Sequence, residues 1–245
     1  MKPEKILNIS VDCVVFGYDM HSKSLNVLLI KRYLASKKKS EVLVDDYVLT
    51  GYHIYDHETL DESATRVLEE LTGLTNIYKK QFKAFGNPKR LMDEKDLPWV
   101  KNEAFNLRTV TIAYYFLLNT EDVKLKNESH QIKWFPVRKL PKLGFDHEQI
   151  IKEAYEDLKT KCLSEPIIFE LLPHKFTIND VQDVYQSILA TEFDNRNFRR
   201  KLIKKKYIIP LDEKQVGVSK KPAQLYMFSK DIYEKMFQNN YLINM

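Results

Sequence analysis

The stretch ETLDESATRVLEELTG, residues 58–73, decides how the rest of the chain is read. Its apolar residues Leu60, Ala64, Val67, Leu68 and Leu71 fall at i, i+4, i+7, i+8 and i+11, the spacing that lines one face of a helix with about 3.6 residues per turn. Gly73 follows where the helix should stop, because glycine takes the left-handed conformation of a helix end without a Cβ clash. Glu69 and Glu70 lie off the apolar stripe, so a solvated face is the plain expectation for both.

The chain around this helix has 245 residues, 44% of them apolar, enough to bury one large core or two modest ones. Its formal charge of +5 is mild for the whole molecule, although mild totals can hide local concentration. Cys13 and Cys162 stand far apart and form no CxxC pair, which argues against both a disulfide framework and a zinc site and favours a reducing, cytoplasmic setting. The opening MKPEKILNIS is too charged for a secretory signal, and no segment approaches the roughly 18 unbroken apolar residues of a membrane helix. A soluble protein with no membrane partner is expected.

Working outward, ILNISVDCVVFGYD and SLNVLLIKRY read as adjacent strands joined by the turn MHSK, being β-branched and aliphatic runs bounded by turn residues. YVLTGYHI, LRTVTIAYYFLL and IKWFPV supply further strands, and DHEQIIKEAYEDLKTK a second helix with Asp146 as N-cap. The charged stretch NPKRLMDEKDLPWVKNEAFN, between two strands, is long for a compact domain, as functional loops often are. After Lys161 the elements shorten: EPIIFELL, TINDVQDVYQSIL and DNRNFRRKLIKKK read as helices, then YIIPL and QLYMFS bracket the basic tip GVSKKPA. Three helices followed by a hairpin is the order of a winged helix-turn-helix. An α+β unit over 1–160 and a smaller DNA-binding unit over 161–245 are expected.

With these elements placed, residues 50–74 resemble the box of the Nudix family: a glycine, five residues, a glutamate, seven residues, then R-E-U-x-E-E-x-G-U, with U an aliphatic. Glu58, Arg66, Leu68, Glu70, Gly73 and Leu74 sit at the box spacings, whereas Tyr52 replaces the glycine beside Gly51, and Val67 and Leu71 replace two of three glutamates. In family hydrolases those acids, at i, i+3 and i+4 of one helix, hold magnesium against substrate phosphates. With Glu70 left alone, the resemblance implies no metal site, no catalytic residue and no cofactor: the helix becomes scaffold, and Glu58 and Arg66 anchor the loop before it. The rival expectation is a magnesium-dependent hydrolase of a nucleoside diphosphate derivative such as ADP-ribose, with Glu69 and Glu70 sharing the ion. Neighbouring helical residues point about 100° apart, so that pair converges poorly.

The positive charge concentrates near the C-terminus. Between Arg196 and Lys206 stand seven basic residues and no acid, and the stretch from Lys161 onward carries four of the five net charges. With Asp194 as cap, Phe198, Leu202 and Ile203 are expected to face inward. Arg196, Asn197, Arg199, Arg200, Lys201, Lys204 and Lys205 are expected on the DNA side, with Lys220 and Lys221 gripping the backbone from the hairpin tip. Arginine reads guanine and asparagine reads adenine through paired hydrogen bonds, while lysines neutralise phosphates. An acidic protein partner for this basic helix is the blander alternative.

Taken together, FDH, LLPHKFTINDVQDVYQSIL and DNRNFRRKLIKKKYI resemble the Nudix-related transcriptional regulators over nearly the whole chain. That resemblance implies a Nudix-like mixed sheet with flanking helices, followed by a smaller winged helix-turn-helix domain. It also implies a homodimer on double-stranded DNA, governed by a small sugar or nucleotide-sugar effector. Some members sense ADP-ribose, and a branch that this chain resembles by RVLEELTGL regulates the use of arabinose and related pentoses. Effector contacts are expected from Arg32, Arg66, Glu70, Arg108 and Tyr114, on or beside the elements that frame the family's cleft. Asp146 and His147 are explained equally well by helix capping and by linking the two units.

Overall fold

The computed structural model describes residues 8–36, 41–103, 108–122, 132–217 and 222–243. Its centre is the parallel pair β1 (Asn8–Asp19) and β6 (Thr109–Asn119), in register from Asn8↔Thr109 to Tyr18↔Asn119. β2 (Ser24–Ala35), β3 (Val42–Val48), β4 (Thr50–His53), β5 (Tyr78–Phe85) and β7 (Ile132–Pro136) complete a seven-stranded sheet, ordered β3-β2-β1-β6-β5 with β4 on β1 and β7 on β2. β1 divides its free edge. Ser10 to Cys13 pair with β4, and Phe16 to Asp19 pair with β2. β2 divides likewise, pairing with β7 first and then with β3. The sheet therefore splits open between β4 and the far half of β2, and the largest cavity described below lies in that split.

Side chains alternate across β1, as strand geometry requires. Val11, Cys13 and Val15 face α1 (Leu60–Thr72), where Ala64 and Val67 are fully buried and Leu68 almost so. Each such Val or Leu contributes about 1.5–3 kcal/mol relative to exposure. Thr59 and Glu62 close a reciprocal capping box at its start, and Gly73 ends it at φ 76° with its N–H on the Glu69 carbonyl, 2.7 Å away. On the other face Val14, Phe16 and Tyr18 join Tyr115 and Leu117 against α3 (His147–Ser164).

That second core runs without interruption into the C-terminal unit. Leu158 and Cys162 of α3 share it with Ile167, Ile168 and Leu171 of a 3-10 turn (Ile167–Leu171) and with Val181, Val184 and Ile188 of α4 (Ile178–Leu189). Polar contacts reinforce the junction: Ser187 Oγ accepts the Leu25 N–H at 3.0 Å, Lys23 pairs with Asp183 at 2.7 Å, and Tyr155 donates to the Ile188 carbonyl at 2.7 Å. α5 (Asn195–Ile203) follows, then the hairpin β8 (Ile208–Lys214) and β9 (Gln224–Phe228), then α6 (Lys230–Ile243).

Some elements depart from expectation. YVLTGYHI is two strands broken at Leu49, and the long charged loop contains a short helix, α2 (Leu97–Asn102). β5 and α6 were not foreseen. β5 is an edge strand with three lysines in its eight residues, so it lacks the alternation of a half-buried strand. Asp146 precedes α3, but its side chain makes no cap hydrogen bond, because Arg90 holds it. Among the described residues no helix is long and apolar enough to cross a membrane.

Candidate functional site

Three places carry polar chemistry, and the Nudix-like helix is the first. Arg66 donates Nε to Glu58 at 2.7 Å and Nη2 to its other oxygen at 2.6 Å, while Nη1 reaches Glu70 at 3.1 Å and Nη2 the His53 carbonyl at 3.1 Å. The Tyr55 ring covers the guanidinium at 4.1 Å. Glu58 also accepts the Tyr55 N–H, and Arg66 beside it brings its carboxyl down to about 2. These contacts tie the loop after β4 to the helix.

Magnesium does not fit here. Val67 is sealed against the sheet, Glu69 is exposed and Glu70 is engaged by Arg66. Among the described residues no three His, Cys, Asp or Glu side chains are placed so that they could hold a metal ion, and a hard cation needs several oxygen ligands.

The second place is the cavity in the split sheet, about 450 Å³, within the range of small-molecule sites. Its polar end is built by two buried arginines from different layers. Arg32, 1% exposed, comes from β2; its Nε and Nη2 each donate to Asp46 at 2.8 Å, and Nη2 also meets Asp96 from the long loop. The Phe145 and Trp99 rings flank it at 4.4 and 5.4 Å. Its Nη1 has no hydrogen-bond partner among the described residues. A Cβ on Gly144 would lie 2.2 Å from Nη2, so a larger residue there would push the guanidinium from its place.

Arg90, also from the long loop, donates to both oxygens of Asp146 at 2.9 and 2.8 Å and to Asp12 at 3.0 Å. His147 Nδ1 accepts the Leu49 N–H at 2.9 Å, which places its ring proton on Nε2, 3.8 Å from Asp12. Burial holds this imidazole below its usual pKa. A Cβ on Gly51 would lie 2.2 Å from the Asp12 carboxylate and displace it. Apolar and aromatic walls from Leu49, Tyr52, Leu91 and Trp99 complete the cavity. A ligand with a flat apolar part and a part rich in hydrogen-bonding groups matches this division.

Of the five expected effector residues, only Arg32 lines the cavity. Arg66 is held by Glu58 and also reaches Glu70 on α1; Arg108 donates to the Gly86 carbonyl at 3.0 Å; Tyr114 faces α1, its hydroxyl 2.9 Å from Asp61 and 3.0 Å from Gln81. Asp12, Arg90, Trp99 and Phe145 were not foreseen. The one signal for Arg90 and Trp99 was the length of the loop that carries them.

The third place is α5. Asp194 caps it by accepting the Asn197 N–H at 2.8 Å. Gln182 of α4, buried, donates to the Phe193 carbonyl at 3.1 Å and to Asn195 Oδ1 at 2.6 Å, fixing the turn between the helices. Arg196, Asn197, Arg199, Arg200, Lys201, Lys204 and Lys205 are all exposed, and Leu202 is buried with Phe198 packed beside it. Ile203, expected inward, is 46% exposed, because the inward face of this short helix is filled by Phe198 and Leu202. Lys220 and Lys221 lie outside the described residues. The hairpin is tied back by Phe176 and Tyr226, whose backbones exchange hydrogen bonds of 3.0 and 2.8 Å.

Two family models match this chain. The NUDIX domain model matches residues 7–157, and the model described as NrtR DNA-binding winged helix domain matches residues 168–228. The ADPR responsive transcriptional repressor NtrR of Acinetobacter baylyi is 28% identical over 232 residues, covering 94% of this chain and 85% of the relative. An ADP-ribose pyrophosphatase of Methanocaldococcus jannaschii is 29% identical over 133 residues, 54% of this chain and 66% of the relative. The Shewanella oneidensis NrtR structure in complex with a 27mer DNA superposes with a TM-score of 0.70 at 26% identity, covering 91% of this chain and 94% of that one. The chain belongs to the NUDIX domain family, and its NUDIX domain is joined to a C-terminal winged helix domain of the NrtR kind.

Proposed function

We propose that this protein is a transcriptional repressor whose winged helix reads double-stranded DNA and whose split-sheet cavity takes ADP-ribose as the signal that changes its grip. The observation that carries the reading is α5: a capped nine-residue helix, anchored by Gln182, with every expected base- and phosphate-contacting residue on it exposed. A relative spanning nearly the whole chain is an ADPR responsive repressor, and a similar structure was solved with DNA. ADP-ribose suits the cavity chemically. Its adenine can lie against Trp99 or Tyr52, and its diphosphate supplies an acceptor for Arg32 Nη1. A free pentose lacks both the aromatic and the anionic part, so the nucleotide-sugar is the better match.

The protein acts without hydrolysing its effector. Val67, inside the core, occupies a position where family hydrolases carry a metal-binding glutamate, and Arg66 engages Glu70. Two copies bind together, because helix-turn-helix proteins read paired half-sites about one helical turn apart. The rival reading as a hydrolase draws on likeness to the pyrophosphatase, which covers 54% of this chain. The test is selection of the full chain on random duplexes, followed by a gel shift with and without ADP-ribose. Enrichment of an inverted repeat whose retention changes with ADP-ribose is expected; failure to enrich any sequence would overturn the DNA assignment.

A further inference from the structure

A second cavity, about 300 Å³, lies away from the first, at the seam between the NUDIX sheet and the C-terminal unit. The loop from α1 to β5 forms one wall. Gly73 at φ 76° and Asn76 at φ 55° turn it back twice over the end of β6. Leu74, Ile77 and Leu117 supply apolar surface, and Glu170 of the 3-10 turn brings a carboxylate from the C-terminal unit.

Asn119, the last residue of β6, lines this cavity and is 2% exposed. Its Oδ1 accepts the Glu121 N–H at 3.0 Å. That bond fixes which way the amide faces, since the reversed orientation would set NH₂ against N–H. Nδ2 is thereby held as a buried donor, and it has no hydrogen-bond partner among the described residues. A buried donor left unmatched is costly, so groups of this kind are as a rule satisfied.

A ligand here must offer an acceptor to Asn119 and a donor to Glu170. It must also carry a small apolar body, and it is disfavoured as an anion because Glu170 is the one charged residue of the lining. We propose that this cavity is a second small-molecule site, taking a neutral carboxamide on a small ring. The carbonyl accepts from Asn119 Nδ2, the NH₂ donates to Glu170, and the ring packs on Leu74, Ile77 and Leu117. Such a ligand touches both units of the chain at once, which the first cavity does not.

The experiment is an amide NMR titration of the full chain with benzamide, with benzoate as the anionic control of the same shape. Saturable shifts are expected at the Asn119 side-chain NH₂ and in residues 73–78, with benzoate at least ten-fold weaker. Asn119→Asp keeps the acceptor for the Glu121 N–H and removes the donor, so it weakens benzamide at least ten-fold. Glu170→Ala, at an exposed position of the 3-10 turn, weakens it at least five-fold and supplies the test should Asn119→Asp fail to fold. Lys89→Ala, exposed on the long loop and remote from this cavity, leaves benzamide binding unchanged. Absence of saturable shifts in this segment would overturn the proposal, as would equal binding of benzoate or unaltered affinity in both Asn119→Asp and Glu170→Ala.

Discussion

Arg90 grips both carboxylate oxygens of Asp146 at 2.9 and 2.8 Å, joining the long loop after β5 to the residue that opens α3. The same guanidinium reaches Asp12 on β1, so loop, helix and central strand meet at one buried cation. α3 then runs from this cavity to the core of the C-terminal unit. A ligand that disturbs Arg90 therefore acts at one end of a helix whose other end packs under the winged helix.

Removing this cation leaves Asp12 and Asp146 uncompensated. Arg90→Ala is expected to destabilise the protein by about 3–5 kcal/mol in urea unfolding, the usual cost of breaking a buried pair from one side. Arg90→Lys should lose less, since it keeps the charge. A loss under about 1 kcal/mol for Arg90→Ala would show that the network is solvated.

Stability should fall with acid in two stages of the same sign. His147 is kept neutral by burial, so the unfolded chain binds its proton first and stability declines as pH drops below about 6.5. Glu58 is held at about 2 against an ordinary 4.5, so its contribution is present above pH 4.5 and lost as pH falls toward 2. Unfolding followed across pH should show Glu58→Gln flattening only the lower stage. An unaltered lower stage would refute the assignment to the Glu58–Arg66 pair.

Restoring one acid of the Nudix box should not restore catalysis. Val67 is fully buried, so Val67→Glu places a carboxylate in the α1 core and is expected to cost at least about 3 kcal/mol. No AMP should appear when the variant is incubated with ADP-ribose and magnesium. A variant as stable as the parent that releases AMP would contradict the scaffold role of this helix.

On the DNA side, Arg199→Glu combined with Arg200→Glu should abolish duplex retention in a gel shift. Parent affinity should fall steeply between about 50 and 200 mM salt as phosphate counterions are released. Lys204→Ala should weaken all sequences alike and lower the salt slope by about 1. Full retention by the double variant would move the interface off α5.

Much of this architecture is legible in the chain. The β-branched runs of β1, β2 and β6 and the stripe from Leu60 to Leu71 follow from periodicity, and α5 follows from its charge and its Asp194 cap. The cavity is less legible, because its polar end joins residues remote in sequence. Arg90 and Asp146 are 56 positions apart and Arg32 and Asp96 are 64, and no local pattern links them. Tyr114 and Arg66 were expected there because they frame the family's cleft, but strand alternation turns Tyr114 toward α1 and Glu58 claims Arg66. Asn119 carries no sequence signal at all. Its significance lies in a hydrogen bond that fixes one end of the amide and leaves the other facing a cavity.

The most direct measurement holds the full chain on its selected, labelled duplex with magnesium present and titrates ADP-ribose, reading DNA release by anisotropy and nucleotide products by chromatography in the same sample. DNA binding should respond in a saturable way while ADP-ribose is recovered intact. Conversion to AMP at about 1 per second or faster, with DNA binding indifferent to the ligand, would contradict the proposed function.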